Sequence, residues 1–316
     1  MINRKILLYT LIILMLPVLL ILLWFLGQTL RDPLDFIDYP MGELSVVQDS
    51  LFLDQLIPEP RVYHQFVFTA NEDDTIRCIL SLPDPMYGEP VPVLIILGGL
   101  EIGVETLKYI PDPGKNAIII YQYPYHPRYW YYGSAITEIP AIRKSVLSVP
   151  SQVLSVYQWL SDQSWADSSR VSIAGYSFGA LFMPSTLHLA QHYNMPVKQA
   201  VISYGAADLY RLLVANMTNI DQPWRSLISR LAITAIRGIE PACHAPHIRS
   251  DILLINGTAD KQIPESCWRE LHRLIPEPKH IIILEEGHMD PRKTELTMKL
   301  VQITKEWLAG KGAING

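Results

Sequence analysis

The sequence predicts an α/β fold: a mostly parallel, eight-stranded sheet with helices on both faces and a small helical cap, preceded by one transmembrane helix. Three observations carry this. Short apolar, β-branched runs recur along the chain, as in Val91 to Leu97 (VPVLIIL), Ala117 to Tyr121 (AIIIY) and Asp251 to Ile255 (DILLI). Runs that are apolar on both faces suit strands buried in a parallel sheet. Stretches with helical spacing separate them, and strands alternating with helices place helices on both sides of such a sheet. Finally, the N-terminus is a long stretch without charge.

That stretch, Ile6 to Leu26, has 21 residues without a charge. At the helical rise it is about 31 Å long, enough to cross a bilayer core. Pro17 lies within it, which membrane helices tolerate, and Trp24 stands near its outer end, where interfacial aromatics are favoured. Arg4 and Lys5 favour a cytoplasmic N-terminus, leaving the bulk of the protein outside the cytoplasm. The rival reading is a cleaved signal peptide and a secreted product. Such a peptide has an apolar region of about 7–15 residues ending at small residues. This run is longer, and Leu-Gly-Gln-Thr-Leu-Arg is a poor cleavage site, so an uncleaved anchor over residues 1–30 is expected.

Residues 31–60 are acidic and proline-bearing and read as a tether and lead-in, with a short helix near Val46 to Gln55. A domain over residues 61–312 follows. Arg61 to Thr69 (RVYHQFVFT) and Thr75 to Leu82 (TIRCILSL) alternate as strands around a turn at Asn71 and predict an antiparallel hairpin. After VPVLIIL and AIIIY come Arg170 to Ala174 (RVSIA), Gln199 to Ser203 (QAVIS), DILLI and His280 to Leu284 (HIIIL). Helices are expected over Ile139 to Gln163, kinked or divided at Pro150, then Phe178 to Tyr193, Glu265 to Leu274 and Thr294 to Leu308. Residues 205–247 break the rhythm with helical pieces at Leu209 to Met217 and Trp224 to Arg237. They are too many for a simple crossover and predict a cap over the sheet's C-terminal edge.

The chain has 316 residues, 49% of them apolar, and a formal net charge of −5. No basic face stands out, which argues against nucleic-acid binding. Its three cysteines, Cys78, Cys243 and Cys267, form neither a CxxC pair nor a metal-ligand spacing. Cys243 and Cys267 either pair in an oxidising compartment or stay free thiols.

Gly175-Tyr176-Ser177-Phe178-Gly179 matches G-x-S-x-G. Three fixed residues recur by chance in a chain this long roughly one time in ten, so the setting matters more than the match. The pentapeptide follows a strand and precedes a helix, and so sharp a turn exposes the serine hydroxyl at the strand end. The alternative is an ordinary glycine-lined turn with Ser177 as a helix cap. A serine hydroxyl is a weak nucleophile until a base takes its proton. His288 stands in the first loop after HIIIL, where that base is expected. The histidine needs a carboxylate to hold its tautomer. Asp260, just past DILLI, completes the order Ser, Asp, His. Asp208, after the preceding strand, and Asp290, two residues from His288, are the rivals. For the oxyanion, one donor is the Phe178 N–H and the other comes from Leu97-Gly98-Gly99-Leu100. Gly99 is favoured there, with Leu100 as alternative.

These four segments, GYSFG, LGGL, GTADKQIP and EEGHMD, resemble those of the α/β-hydrolase superfamily in order and in strand context, over residues 61–309. The oxyanion loop departs from the pattern in lacking a histidine before its glycines. The resemblance implies hydrolysis through an acyl-enzyme, with no metal or organic cofactor, and does not fix a substrate; a small-molecule or lipid-like acyl compound is expected. Carboxylic ester or thioester cleavage is the first expectation. A peptidase or amidase, or an acyltransferase, on the same triad is the runner-up. A prolyl-peptidase reading leads one to expect a large accessory domain, for which the sequence has no room. An inactive hydrolase-fold binding protein is the non-enzymatic alternative. The oligomeric state is not specified. The aromatic run Tyr121 to Tyr132 (YQYPYHPRYWYY) should sit at the rim near the site. Its rings are suited to a substrate pocket, to packing on the cap or to a membrane interface, and His126 within it reads as structural.

Overall fold

The computed structural model describes residues 4–37, 44–52, 60–71, 74–84, 88–99, 103–125, 135–290 and 292–316. Among these, one nine-stranded sheet forms the centre, in the order β1-β2-β3-β5-β4-β6-β7-β8-β9. The strands are β1 Ser45–Phe52, β2 Arg61–Asn71, β3 Asp74–Pro83, β4 Val91–Leu97, β5 Ala117–Gln122, β6 Ala166–Tyr176, β7 Gln199–Ser203, β8 Asp251–Gly257 and β9 Lys279–Leu284. The first three meander antiparallel, and β3 pairs antiparallel with β5. From β5 to β9 every pairing is parallel.

The sheet therefore holds the eight expected strands and one more. The extra strand, β1, lies where a short helix was expected near Val46 to Gln55. Val46 and Val47 favour extended backbone, and β2 offers an edge with which to pair. The pairing slips between Val46 and Gln48, as at a bulge.

Every residue of β4 is buried. Val91, Val93, Ile95 and Leu97 join one apolar layer, while Leu94 and Ile96 join the other. A strand covered on both faces has no polar side to present, which is why its sequence does not alternate. The first layer is closed by α2 Ala135–Leu160 and α3 Met183–His192, the second by α8 Thr294–Gly310. Helix α2 runs through both Pro140 and Pro150, so Pro150 does not divide it. Strand β9 is different: it ends the sheet, and Ile281 and Ile283 remain 42% and 41% exposed.

Between β7 and β8 the chain inserts α4 Leu209–Asn216, α5 Trp224–Ala235 and a short α6 Pro241–His244. The Glu240 carboxylate ties the two ends of this insertion together by accepting from the N–H groups of Asp208, Leu209 and Ala242. Helix α7 Glu265–Leu274 follows β8. The three cysteines are free thiols, so Cys243 and Cys267 do not pair.

The N-terminal helix α1 spans Arg4–Leu30, and its stretch Ile12–Leu30 is long and apolar enough to cross a membrane. A signal sequence near an N-terminus can meet the same criterion of length and apolarity. After α1 the chain docks at once. Asp32 caps a 3-10 turn at Pro33–Phe36, and Phe36 and Ile37 are buried. Gly238 lies so close beneath that a methyl group there would come within 2.7 Å of the Phe36 Cβ.

Candidate active site

The site starts from the end of β6. Ser177 follows it directly with φ of 53°, a left-handed backbone that costs a non-glycine residue roughly 1–2 kcal/mol. Its surroundings hold it there. The Ser177 N–H donates to the Ser203 carbonyl at 2.9 Å, and the Ala180 N–H donates to the Ser177 carbonyl at 3.0 Å. A side chain at Gly179 would meet the Leu97 carbonyl at 2.1 Å, and one at Gly175 would meet the Met183 side chain at 2.4 Å. The glycines flanking the serine are thus required by close approach. Ser177 is no helix cap: the 3-10 turn that follows has Phe178 at its cap position and no side-chain capping bond.

Ser177 Oγ lies 2.7 Å from His288 Nε2, and His288 Nδ1 lies 2.7 Å from an Asp260 carboxylate oxygen. The Asp260 side chain is 1% exposed, and its other oxygen accepts from the N–H groups of Gln262 and Ile263. A carboxylate so placed fixes the proton on Nδ1, leaving the Nε2 lone pair to accept the serine proton. Lys293 Nζ donates to the His288 carbonyl and steadies the loop. The acid and base loops are also joined by backbone: the Thr258 N–H donates to Leu284 and the Ala259 N–H to Glu286. Tyr204 stands edge-on to the imidazole at 5.2 Å and donates its hydroxyl to the Gly287 carbonyl. Burial, with Asp260 and Glu286 adding to it, pushes the Tyr204 phenol well up, so it remains a donor.

Neither rival carboxylate meets the histidine. Asp208 caps α4 through the Arg211 N–H and pairs with the Arg211 side chain. Asp290 is held by Arg292 through paired side-chain bonds, which keep its carboxyl well below the usual range.

The Gly98-Gly99 loop after β4 passes beside the serine: a side chain on Gly99 would lie 3.6 Å from Ser177 Cβ. Phe178 follows the serine by one residue. Leu100, His126 and the rest of the aromatic run to Tyr132 lie outside the described residues. Of that run, Tyr121 is buried and bonded to Gln152. Tyr125 donates to Glu138. Tyr123 had no individual role in the sequence reading, and it has one in the structure. Its hydroxyl donates to the Gly98 carbonyl at 2.5 Å, and its ring packs against Phe178 and Phe182. A trans peptide sets its C=O and N–H in opposite directions. Holding the Gly98 carbonyl therefore turns the Gly99 N–H away from Tyr123.

Beneath the glycine loop, an apolar cavity of about 50 Å³ reaches between Leu94, Ile96, Tyr176, Met289 and Val301. One water needs about 10–15 Å³ on this measure, so the space takes about four groups of that size. Among the described residues no group of three His, Cys, Asp or Glu side chains is placed to hold a metal ion.

The sequence pattern of the prolyl oligopeptidase family matches residues 148–311, just over half of the chain. No curated protein matches the chain in sequence. Solved structures similar to it include the acetyl xylan esterase of Paenibacillus sp. R4, with a TM-score of 0.59 at 15% identity over 87% of this chain and 99% of that one. Another is acetyl xylan esterase 1 of Thermoanaerobacterium sp., with a TM-score of 0.58 at 15% identity over 85% and 91%. The acylaminoacyl peptidase of Pyrococcus horikoshii matches with a TM-score of 0.55 at 13% identity, over 84% of this chain and 49% of that one.

Proposed function

The chain belongs to the prolyl oligopeptidase family and is a serine hydrolase of the α/β-hydrolase superfamily; from that premise we propose that it cleaves a carboxylic ester or thioester through an acyl-enzyme on Ser177. The observation that carries this reading is the continuous relay from Ser177 Oγ through His288 to Asp260, with both links at 2.7 Å.

In this mechanism His288 Nε2 takes the Ser177 proton as Oγ attacks the substrate carbonyl carbon. The carbonyl electron pair moves to oxygen, and the N–H groups of Gly99 and Phe178 hold the resulting oxyanion. His288 passes its proton to the departing alkoxide or thiolate. Water then attacks the acyl-enzyme, giving its proton to His288, which returns it to Ser177 Oγ as the acid leaves. Asp260 stays ionised and steadies the imidazolium.

An ester is favoured over a peptide bond by the apolar cavity beneath Gly98 and Gly99, which suits a short acyl group. Peptidase or amidase activity is the second reading, and the family membership favours it. The substrate expected is a small or lipid-like acyl compound.

We place the enzyme on a membrane, with α1 as an uncleaved anchor, the N-terminus cytoplasmic and the catalytic domain on the opposite side. The length and apolarity of α1 and the basic Arg4 and Lys5 before its apolar core support this. Residues 61–312 form the catalytic domain in this reading, with 205–247 as its helical insertion.

A fluorophosphonate probe tests the nucleophile: wild type is labelled and Ser177→Ala is not. Equal labelling of both would sink the assignment. Turnover of p-nitrophenyl esters of increasing acyl length, set against peptide p-nitroanilides, separates the two substrate classes. A mature N-terminus near Arg31 would overturn the anchor.

A further inference from the structure

Helix α5 leaves an apolar row uncovered in its first two turns. Trp224, Leu227 and Ile228, spaced to share one face, are 63%, 48% and 40% exposed. Elsewhere on the helix Ser229 and Thr234 are buried, and Ile233 packs half-buried against the core. The two hydroxyls are satisfied locally, Thr234 on the Arg230 carbonyl and Ser229 on the Met217 sulfur. A solvated amphipathic helix turns such a row to the core.

The location of this stripe identifies what covers it. Helix α5 touches α1, and the α1 side chains half-covered near that end are Phe25, Gln28 and Thr29. This is the C-terminal end of the stretch long enough to span a bilayer. The two helices cannot separate far. Only Arg31 and Asp32 stand between α1 and the docked 3-10 turn, whose Phe36 presses onto Gly238, just past α5. Arg31 bonds back to the Asp35 carbonyl and stacks over Phe36, 4.6 Å from its centroid. The helix also supplies cations beside its apolar stripe: Arg225, bonded to the Ile220 carbonyl, and Arg230, over the Tyr210 ring at 4.0 Å. An apolar row with Trp at one end and Arg alongside is the chemistry of a helix lying in the membrane interface.

We propose that α5 is a second membrane contact, lying in the same leaflet face from which α1 emerges, with Trp224, Leu227 and Ile228 among the lipid acyl chains. The inference rests on α1 being a membrane anchor. It adds that the catalytic domain does not hang free on that anchor. The domain sits on the bilayer through its helical insertion, and its substrate is an ester carried in or at the lipid surface.

The test uses the full chain in vesicles of phosphatidylcholine with a minority of phosphatidylglycerol. Half-exposed Cys243 is replaced by Ser, the buried Cys78 and Cys267 are left, and an environment-sensitive fluorophore is placed at Ile228→Cys or, separately, at Met15→Cys in α1. Fluorophosphonate labelling of Ser177 confirms that each variant is folded. The expected result is blue-shifted emission from both positions, with the probe at 228 quenched most by nitroxides near the headgroup boundary, about 5–10 Å deep. A probe at 15 that is quenched by lipid while the probe at 228 emits as in water overturns the inference and leaves the anchor standing. Water-like emission from both positions removes the anchor and the inference with it. Shielding at 228 that rises with protein density, without lipid quenching, assigns the stripe to a second copy of the chain and also overturns the proposal.

Discussion

Replacing Tyr123 by Phe removes one atom that the site depends on and little else. The ring contacts to Tyr121, Phe178 and Phe182, at 5.1 to 5.8 Å between centroids, survive the change. What is lost is the hydroxyl that holds the Gly98 carbonyl at 2.5 Å. Left buried without a donor, that carbonyl costs about 1–3 kcal/mol. The two-glycine loop relieves the cost by rotating the peptide towards another donor, and the Gly99 N–H turns with it. A full oxyanion donor is worth about 10²–10³ in turnover. Misaiming one without deleting it should lower kcat by about 10-fold to 100-fold, equivalent to about 1.4–2.7 kcal/mol. The loss belongs to the transition state, so KM should move little. The pH–rate profile should keep its shape, because His288 and Asp260 are untouched. Steady-state hydrolysis of p-nitrophenyl acetate across pH, together with a urea titration of the same variant, reads each quantity. A variant that loses stability but keeps kcat within about twofold of wild type would show that Tyr123 merely packs, and would refute the peptide-plane argument.

Other changes discriminate the remaining assignments. Asp260→Asn should cost on the order of 10⁴ in kcat by presenting His288 in the wrong tautomer, whereas Asp208→Asn should leave kcat within a few-fold; the reverse ranking would transfer the acid role to Asp208. Gly179→Ala places a methyl group 2.1 Å from the Leu97 carbonyl, and this overpacking should destabilise by about 3 kcal/mol or more, read as a lowered urea midpoint; an unchanged midpoint would mean the elbow has slack. Stability should fall as pH drops below 6.5. Burial drives His188, His244 and His272 down to about 4, about 3 and about 4 from an ordinary 6.5. Each ring therefore binds a proton between those values only in the unfolded chain, which favours unfolding there. Glu240, raised by burial to about 7 from 4.5, has the opposite sign: its stabilisation is present at low pH and lost as pH rises through 7. Three rings outweigh one carboxyl, so a urea midpoint higher at pH 5 than at pH 7 would contradict this account.

The sheet's interior was legible because a strand covered on both faces must be apolar at every position, and β4 and β7 begin and end where VPVLIIL and QAVIS do. The triad was legible because each member stands directly after a strand, so chain order gave spatial order: Ser177 after β6, Asp260 after β8 and His288 after β9. Three things were hidden for identifiable reasons. Strand β1 depends on an edge offered by β2, a contact no local pattern records. Tyr123 was one aromatic among many in its run, and only the fold brings its hydroxyl to Gly98, 25 residues earlier in sequence. The exposure of Ile281 and Ile283 follows from β9 being last in the sheet, and HIIIL reads like any buried strand.

That last position has a consequence for how the enzyme wears out. Ser177 stands at the centre of the sheet, but Asp260 and His288 ride on β8 and β9, joined to each other across the outermost pairing. Edge strands open locally at lower free energy than the core. Each such opening carries His288 away from a Ser177 that has not moved. Heating should therefore silence the enzyme while most of its sheet is intact, and cooling should restore it until an exposed edge pairs with that of another molecule. The working lifetime would be set at the rim of the sheet, three strands from the one that Ser177 follows.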